Sequence, residues 1–129
     1  MQFYFKENNA GLIFAYHVVS SKELEHICNY QYKQFPVRFF NKKLFYPILN
    51  KEYAQRVASE KNNFASGTTT MHVVRFLLRT KHIKKYTQSN PMILSVKESD
   101  LMHFNQQIIG FIELIDTIQL DTTNQFASN

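Results

Sequence analysis

An α+β domain with a mixed, mostly antiparallel sheet is the fold class this sequence predicts, with two main helices and one short helix. Three observations lead there. Strand-like runs stand at both ends of the chain with helical segments between them, the order expected of α+β rather than of a regular βαβ alternation. Two helical stretches carry N-terminal capping signals. The apolar runs are rich in β-branched and aromatic residues, and the 129 residues contain 12 Phe and 7 Tyr but no Trp. Rings rather than aliphatic layers are therefore expected to fill much of the core.

Residues 2–6 and 11–19 are two apolar, aromatic runs separated by Glu7-Asn8-Asn9-Ala10-Gly11. Asn and Gly tolerate positive φ, so the pair reads as a β-hairpin. Ser20 and Glu23 then form a capping-box pattern. The helix that follows places Leu24, Ile27, Cys28 and Gln31 at helical spacing and ends before Pro36, because proline cannot donate to the helical ladder. Residues 37–49 read as one or two short strands with a turn at Asn41-Lys42-Lys43, and Pro47 marks an edge or an exit. Asn50 caps a second helix from Lys51 to about Glu60, with Tyr53, Ala54, Val57 and Ala58 on one face.

Lys61 to Thr70 is polar and reads as a loop. Met71 to Arg79 is the clearest strand, and the basic turn Lys81-His82-Ile83-Lys84-Lys85 after it suits a short helical piece. Met92 to Val96 reads as a second central strand, entered after Asn90-Pro91. A short helix with an acidic first turn, Glu98 and Asp100, occupies part of Ser95 to Gln107. Ile108 to Leu120 is a last long strand, bulged or bent at Gly110. The domain is expected to span residues 1–121, with 122–129 a polar, frayed tail.

Composition narrows the function classes. The length suits one domain. With a single cysteine, Cys28, no intrachain disulfide is possible and the usual zinc patterns cannot be built; its place beside Ile27 reads as a buried small hydrophobe. The three glycines, at positions 11, 67 and 110, are few for a fold built on phosphate-binding glycine loops, and no Walker, GxGxxG or GxSxG pattern occurs. The histidines show no HxH or HxxxH spacing, so no metal site is expected. No stretch reaches the roughly 18 apolar residues of a membrane span. The start MQFYFKENN lacks a signal-peptide layout, so the expected location is cytoplasmic.

A formal charge of +5 suits nucleic acid, an acidic protein or a phosphorylated small molecule. The basic residues come in pairs rather than runs, which does not favour nucleic acid. The cluster Arg75, Arg79, Lys81, Lys84 and Lys85, with Tyr86 near, reads either as a phosphate or nucleic-acid contact or as a solvated strand exit.

Two segments carry a resemblance. Tyr16-His17-Val18-Val19-Ser20-Ser21-Lys22-Glu23-Leu24-Glu25-His26-Ile27 places a histidine near a strand end, then a short polar connection, then a capped helix. Tyr46 precedes a helix with alanines at positions 54 and 58. In that order the segments resemble small bacterial or phage ADP-ribosyltransferase-like domains of the His-Tyr-Glu type. The stretch from Ser95 to Ile115, with Glu98, Leu101, Phe104-Asn105 and Gly110, reads like the ending of such domains.

The resemblance implies that NAD is the cofactor, with His17 on its ribose and Tyr46 stacked on its nicotinamide. It also asks for a carboxylate to stabilise an oxocarbenium-like transition state. Met92 to Val96, where the family's glutamate usually lies, offers none, so Glu98 is the candidate and Glu113 the second choice. The function expected is an ADP-ribosyltransferase-like domain binding NAD or an ADP-ribosyl group, as a toxin or effector or a catalytically degenerate relative. The alternative is a non-enzymatic immunity protein or antitoxin whose partner is a toxin domain.

Overall fold

The structure is a computed structural model and describes residues 11–36, 44–61 and 70–119. The first half of the expected hairpin, the turn at 41–43, the loop at 62–69 and the polar tail lie outside the described residues. Strand β1 (Leu12–Ser20) runs directly into helix α1 (Ser21–Asn29), and β2 (Leu44–Phe45) precedes α2 (Lys51–Lys61). Next come β3 (Thr70–Arg79), α3 (Thr80–Ile83), a 3-10 turn (Lys84–Tyr86) and β4 (Val96–Lys97). A second 3-10 turn (Glu98–Asp100), α4 (Leu101–Gln106) and β5 (Ile109–Gln119) complete the order. The α+β class stands: two main helices, the short α4 and the single turn of α3 surround antiparallel sheets.

The main sheet has the order β1-β3-β5, antiparallel throughout. β2 and β4 form a separate two-stranded ladder, Leu44 opposite Lys97 and Phe45 opposite Val96. Among the described residues, a bridge ties β1 to the segment that follows β2: Tyr16 and Ile48 exchange backbone hydrogen bonds of 2.7 Å each. The register pairs Tyr16 with Arg75, His17 with Val74 and Val19 with His72, and then His72 with Thr117. Gly110 has φ +73, a conformation that costs other residues energy, and the β3–β5 register shifts between Arg75 and Leu77, alongside it. The expected bend at Gly110 is therefore present.

Alternation along the strands gives the main sheet two unlike faces. Ile13, Ala15, His17 and Val19 of β1 share one with His72, Val74, Phe76 and Leu78 of β3, and all eight are buried. Ile27 of α1, Phe45, Val96, Leu101 and Phe104 belong to the same core. On the other face Ala54 and Ala58 of α2 cover Val18, Met71 and Val73. Beyond α2 that face opens, and Phe14 is 39% exposed.

The core is built from rings. Phe35, Phe45, Phe104 and Phe76 form a closed cycle, with centroids 4.8, 5.6, 6.0 and 5.0 Å apart around it. Tyr86 joins Phe104 at 5.3 Å. Each Phe of the cycle comes from a different segment, and burying such a side chain contributes about 3 kcal/mol. Beside the cycle, Asn105 clips α4 to the segment after α1. Its Oδ1 accepts from the Phe35 N–H at 2.8 Å and its Nδ2 donates to the Phe35 carbonyl at 2.9 Å.

Three sequence expectations are corrected. Met92 to Val96 is not a central strand. Its backbone groups serve single partners, with the Met92 carbonyl accepting from Leu49, Leu94 N–H donating to Pro47, and Ser95 N–H donating to Tyr86. Only Val96–Lys97 enters a ladder, and it pairs with β2 outside the main sheet. Helix α1 stops at Asn29; Gln31 and Tyr32 adopt left-handed backbone at φ 56 and 59, so Gln31 is no part of the helical face. Cys28 is exposed, because Ile27 takes the inward position of α1.

Asn105→Ala is expected to lower unfolding free energy by about 3 kcal/mol, since both Phe35 backbone groups lose their partner in a buried site. Urea denaturation followed by circular dichroism measures it; a loss below about 0.5 kcal/mol would mean that the clip carries no weight.

Candidate functional site

The chemistry-bearing residues gather where β1 passes into α1. Ser20 caps the helix: its Oγ accepts from the Glu23 N–H at 3.1 Å, and Glu23 Oε1 accepts from the Ser20 N–H at 2.9 Å. That reciprocal pair satisfies two otherwise orphaned donors and fixes the exit angle of the strand. Glu23 is 5% exposed, the one carboxylate in the buried set among the described residues.

His17 lies on the inner face of β1, 8% exposed. Its ring meets Phe45 edge-to-face with centroids 4.4 Å apart and Phe35 at 5.8 Å. The residue that touches His17 is thus Phe45, which immediately precedes the Tyr46 segment. Tyr46 is the next residue and is 45% exposed. Tyr16, beside His17, and Ile48, two residues after Tyr46, pair through their backbones.

Neither expected carboxylate stands beside Tyr46 in the strand register. Glu98 is exposed in the 3-10 turn that follows β4. Tyr46 follows Phe45 and Glu98 follows Lys97 in an antiparallel ladder, so they leave it at opposite ends. Three residue steps separate them, roughly 10 Å along the strand. Glu113 stands opposite Arg75, on the sheet face away from His17, and pairs with it at 3.0 Å.

Arg75 is committed twice. Its Nε also donates to Glu113 Oε1 at 3.1 Å, and its guanidinium lies 4.4 Å from the Phe14 ring centroid. Arg79, on the same face of β3, and Lys81 in α3 are exposed. Tyr86, grouped with them in the sequence, is 3% exposed, with its ring in the core and its hydroxyl donating to Gln107 Oε1 at 3.3 Å. Burial pushes its pKa up, Asp100 adding to the effect. It is unavailable as a stacking platform for a base.

A further arrangement escaped sequence reasoning. His72 is 9% exposed on the same sheet face as His17, one row along. Its Nε2 lies 2.9 Å from Ser21 Oγ and its Nδ1 lies 3.0 Å from Thr117 Oγ1. The partners are 51 and 45 residues away, so no local spacing could show them. The available signal was weaker: two adjacent serines before a helix, and a polar residue at the start of an otherwise apolar strand.

Among the described residues, no helix is long and apolar enough to cross a membrane, and no group of three or more His, Cys, Asp or Glu is placed to hold a metal. Comparison with protein-family models, with curated proteins and with solved structures gives no match.

Burial pushes the His72 pKa down. The unfolded chain then takes up a proton near the ordinary value of 6.5 while the native state does not. His72 contributes stability that is fully present above about pH 6.5 and is lost as pH falls through its lower native pKa. His72→Gln, which does not titrate, is expected to flatten the acid limb of the stability curve measured by urea unfolding at successive pH values; an unchanged slope would contradict this.

Proposed function

We propose that the chain is an ADP-ribosyltransferase-like domain that binds NAD or an ADP-ribosyl group, as a catalytically degenerate relative that does not transfer it. The observation that carries this reading is that the strand holding His17 is bridged through Tyr16 to Ile48, two residues after Tyr46. Tyr46 offers an exposed flat ring, and stacking on a ligand ring is worth about 1 kcal/mol beyond the area buried. Helix α1 begins directly after the strand that holds His17, and a helix N-terminus is a site type that suits phosphate groups. Positions of the carboxylates support binding without turnover: Glu98 leaves the ladder at the end remote from Tyr46, and Glu113 is paired with Arg75 on the opposite face.

A separate observation favours a second reading, the immunity protein or antitoxin. Phe14 stands exposed with Arg75 stacked on it, and β5 exposes Phe111 and Leu114. Arginine and aromatic side chains are the types that dominate protein interfaces. In that case Phe14→Ala and Arg75→Ala weaken a complex with a toxin domain, and Tyr46→Ala does not.

Calorimetric titration with NAD and with ADP-ribose tests the first reading. Saturable heat is expected from the wild type, and Tyr46→Ala is expected to weaken NAD binding roughly fivefold, the equivalent of about 1 kcal/mol. Glu98→Gln should leave affinity unchanged. Absence of binding at millimolar NAD would overturn the proposal.

A further inference from the structure

We propose that Ser21 is an activated nucleophile, served by His72 as general base and Thr117 as the group that orients the base, for attack on acyl compounds such as activated esters. The arrangement supplies the nucleophile–base and base–orienter relations that this chemistry requires. The nucleophile and base are within hydrogen-bond reach, Ser21 Oγ to His72 Nε2 at 2.9 Å. The base is held from its other side by Thr117 Oγ1 at 3.0 Å. With the ring proton on Nδ1, Thr117 accepts it and Nε2 is left to accept from the Ser21 hydroxyl. The strand register fixes the ring: Val19, His72 and Thr117 stand in one row across β1, β3 and β5.

Accessibility divides the way a nucleophile and its base require. Ser21 is exposed, whereas His72 is buried, which favours the neutral imidazole that acts as a base at neutral pH. Ser21 is also the first residue of a nine-residue helix. The positive end of that helix lies at Ser21, with Ser20 and Glu23 capping it.

The step balances within the named groups. Ser21 Oγ forms a bond to the carbonyl carbon as its proton passes to His72 Nε2. The bond from that carbon to the leaving alcohol then breaks, and Nε2 returns the proton to the departing oxygen. Water repeats the sequence on the acyl-serine, releasing the acid and restoring Ser21 and neutral His72. Thr117 carries no charge to stabilise the imidazolium, so activated acyl groups with good leaving oxygens are the substrates that suit the site.

Two probes test this on the full chain: a fluorophosphonate, which phosphonylates activated serines with loss of fluoride, and p-nitrophenyl acetate. One fluorophosphonate adduct is expected, mapped to the peptide holding Ser21, together with p-nitrophenol release that Ser21→Ala abolishes. His72→Gln should slow release about 100-fold, the usual contribution of a general base. In the wild type the rate should rise to a plateau with a midpoint below the ordinary histidine pKa, and this midpoint should vanish in His72→Gln. A structural role for His72 would leave no such profile. An adduct at another residue, no adduct, or wild-type release from Ser21→Ala would overturn the proposal. Ser21 is exposed, so its variant decides the question even if His72→Gln fails to fold.

Discussion

The cycle of four phenylalanines is the constraint on which the rest of this structure depends. Phe35, Phe45, Phe76 and Phe104 arrive from the segment after α1, from β2, from β3 and from α4, and each is almost wholly buried. β2 and β4 contribute only two residues each to their ladder, too few to hold a sheet together through hydrogen bonds alone. What anchors that ladder to the main sheet is Phe45 inside the cycle, assisted by the Tyr16–Ile48 bridge. Tilted and edge-to-face rings also carry orientation, because the aromatic quadrupole disfavours stacked faces. The core therefore specifies geometry as well as burying area.

His17 belongs to this constraint as much as to any site. Its ring sits against Phe45 and Phe35, so the histidine is a member of the aromatic layer that faces the junction between the sheets. The same layer explains Phe104-Asn105, one of the motifs in the sequence. Phe104 closes the cycle, and Asn105 binds both backbone groups of Phe35. Where β1 becomes α1, Ser21, His72 and Thr117 line up through hydrogen bonds rather than ring contacts. The opposite sheet face follows another logic: α2 shields one half, and Phe14 with the Arg75–Glu113 pair occupies the open half.

Local signals are legible in the sequence where local physics decides. The capping box at Ser20 and Glu23, the Asn50 cap whose Oδ1 accepts from Tyr53 N–H, the β3 run and the kink at Gly110 are all present. Long-range choices were not legible. Met92 to Val96 looked like a central strand because its residues are β-prone, yet its hydrogen bonds go singly to 47–49 and to Tyr86. Cys28 looked buried because helical spacing leaves open which of two adjacent apolar residues turns inward. At the site, the Tyr16–Ile48 bridge and the three-step offset of Glu98 from Tyr46 both depend on pairing between segments far apart in the sequence. The His72 row depended on register across three strands, which no spacing rule encodes.

The central claim, that aromatic contacts through His17 and Phe45 couple the two sheets, is tested most directly by a double-mutant cycle. Unfolding free energies of the wild type, His17→Ala, Phe45→Leu and the double variant give the coupling between the two rings. A favourable coupling of about 1 kcal/mol is the result this account predicts. Strict additivity of the two substitutions would contradict it.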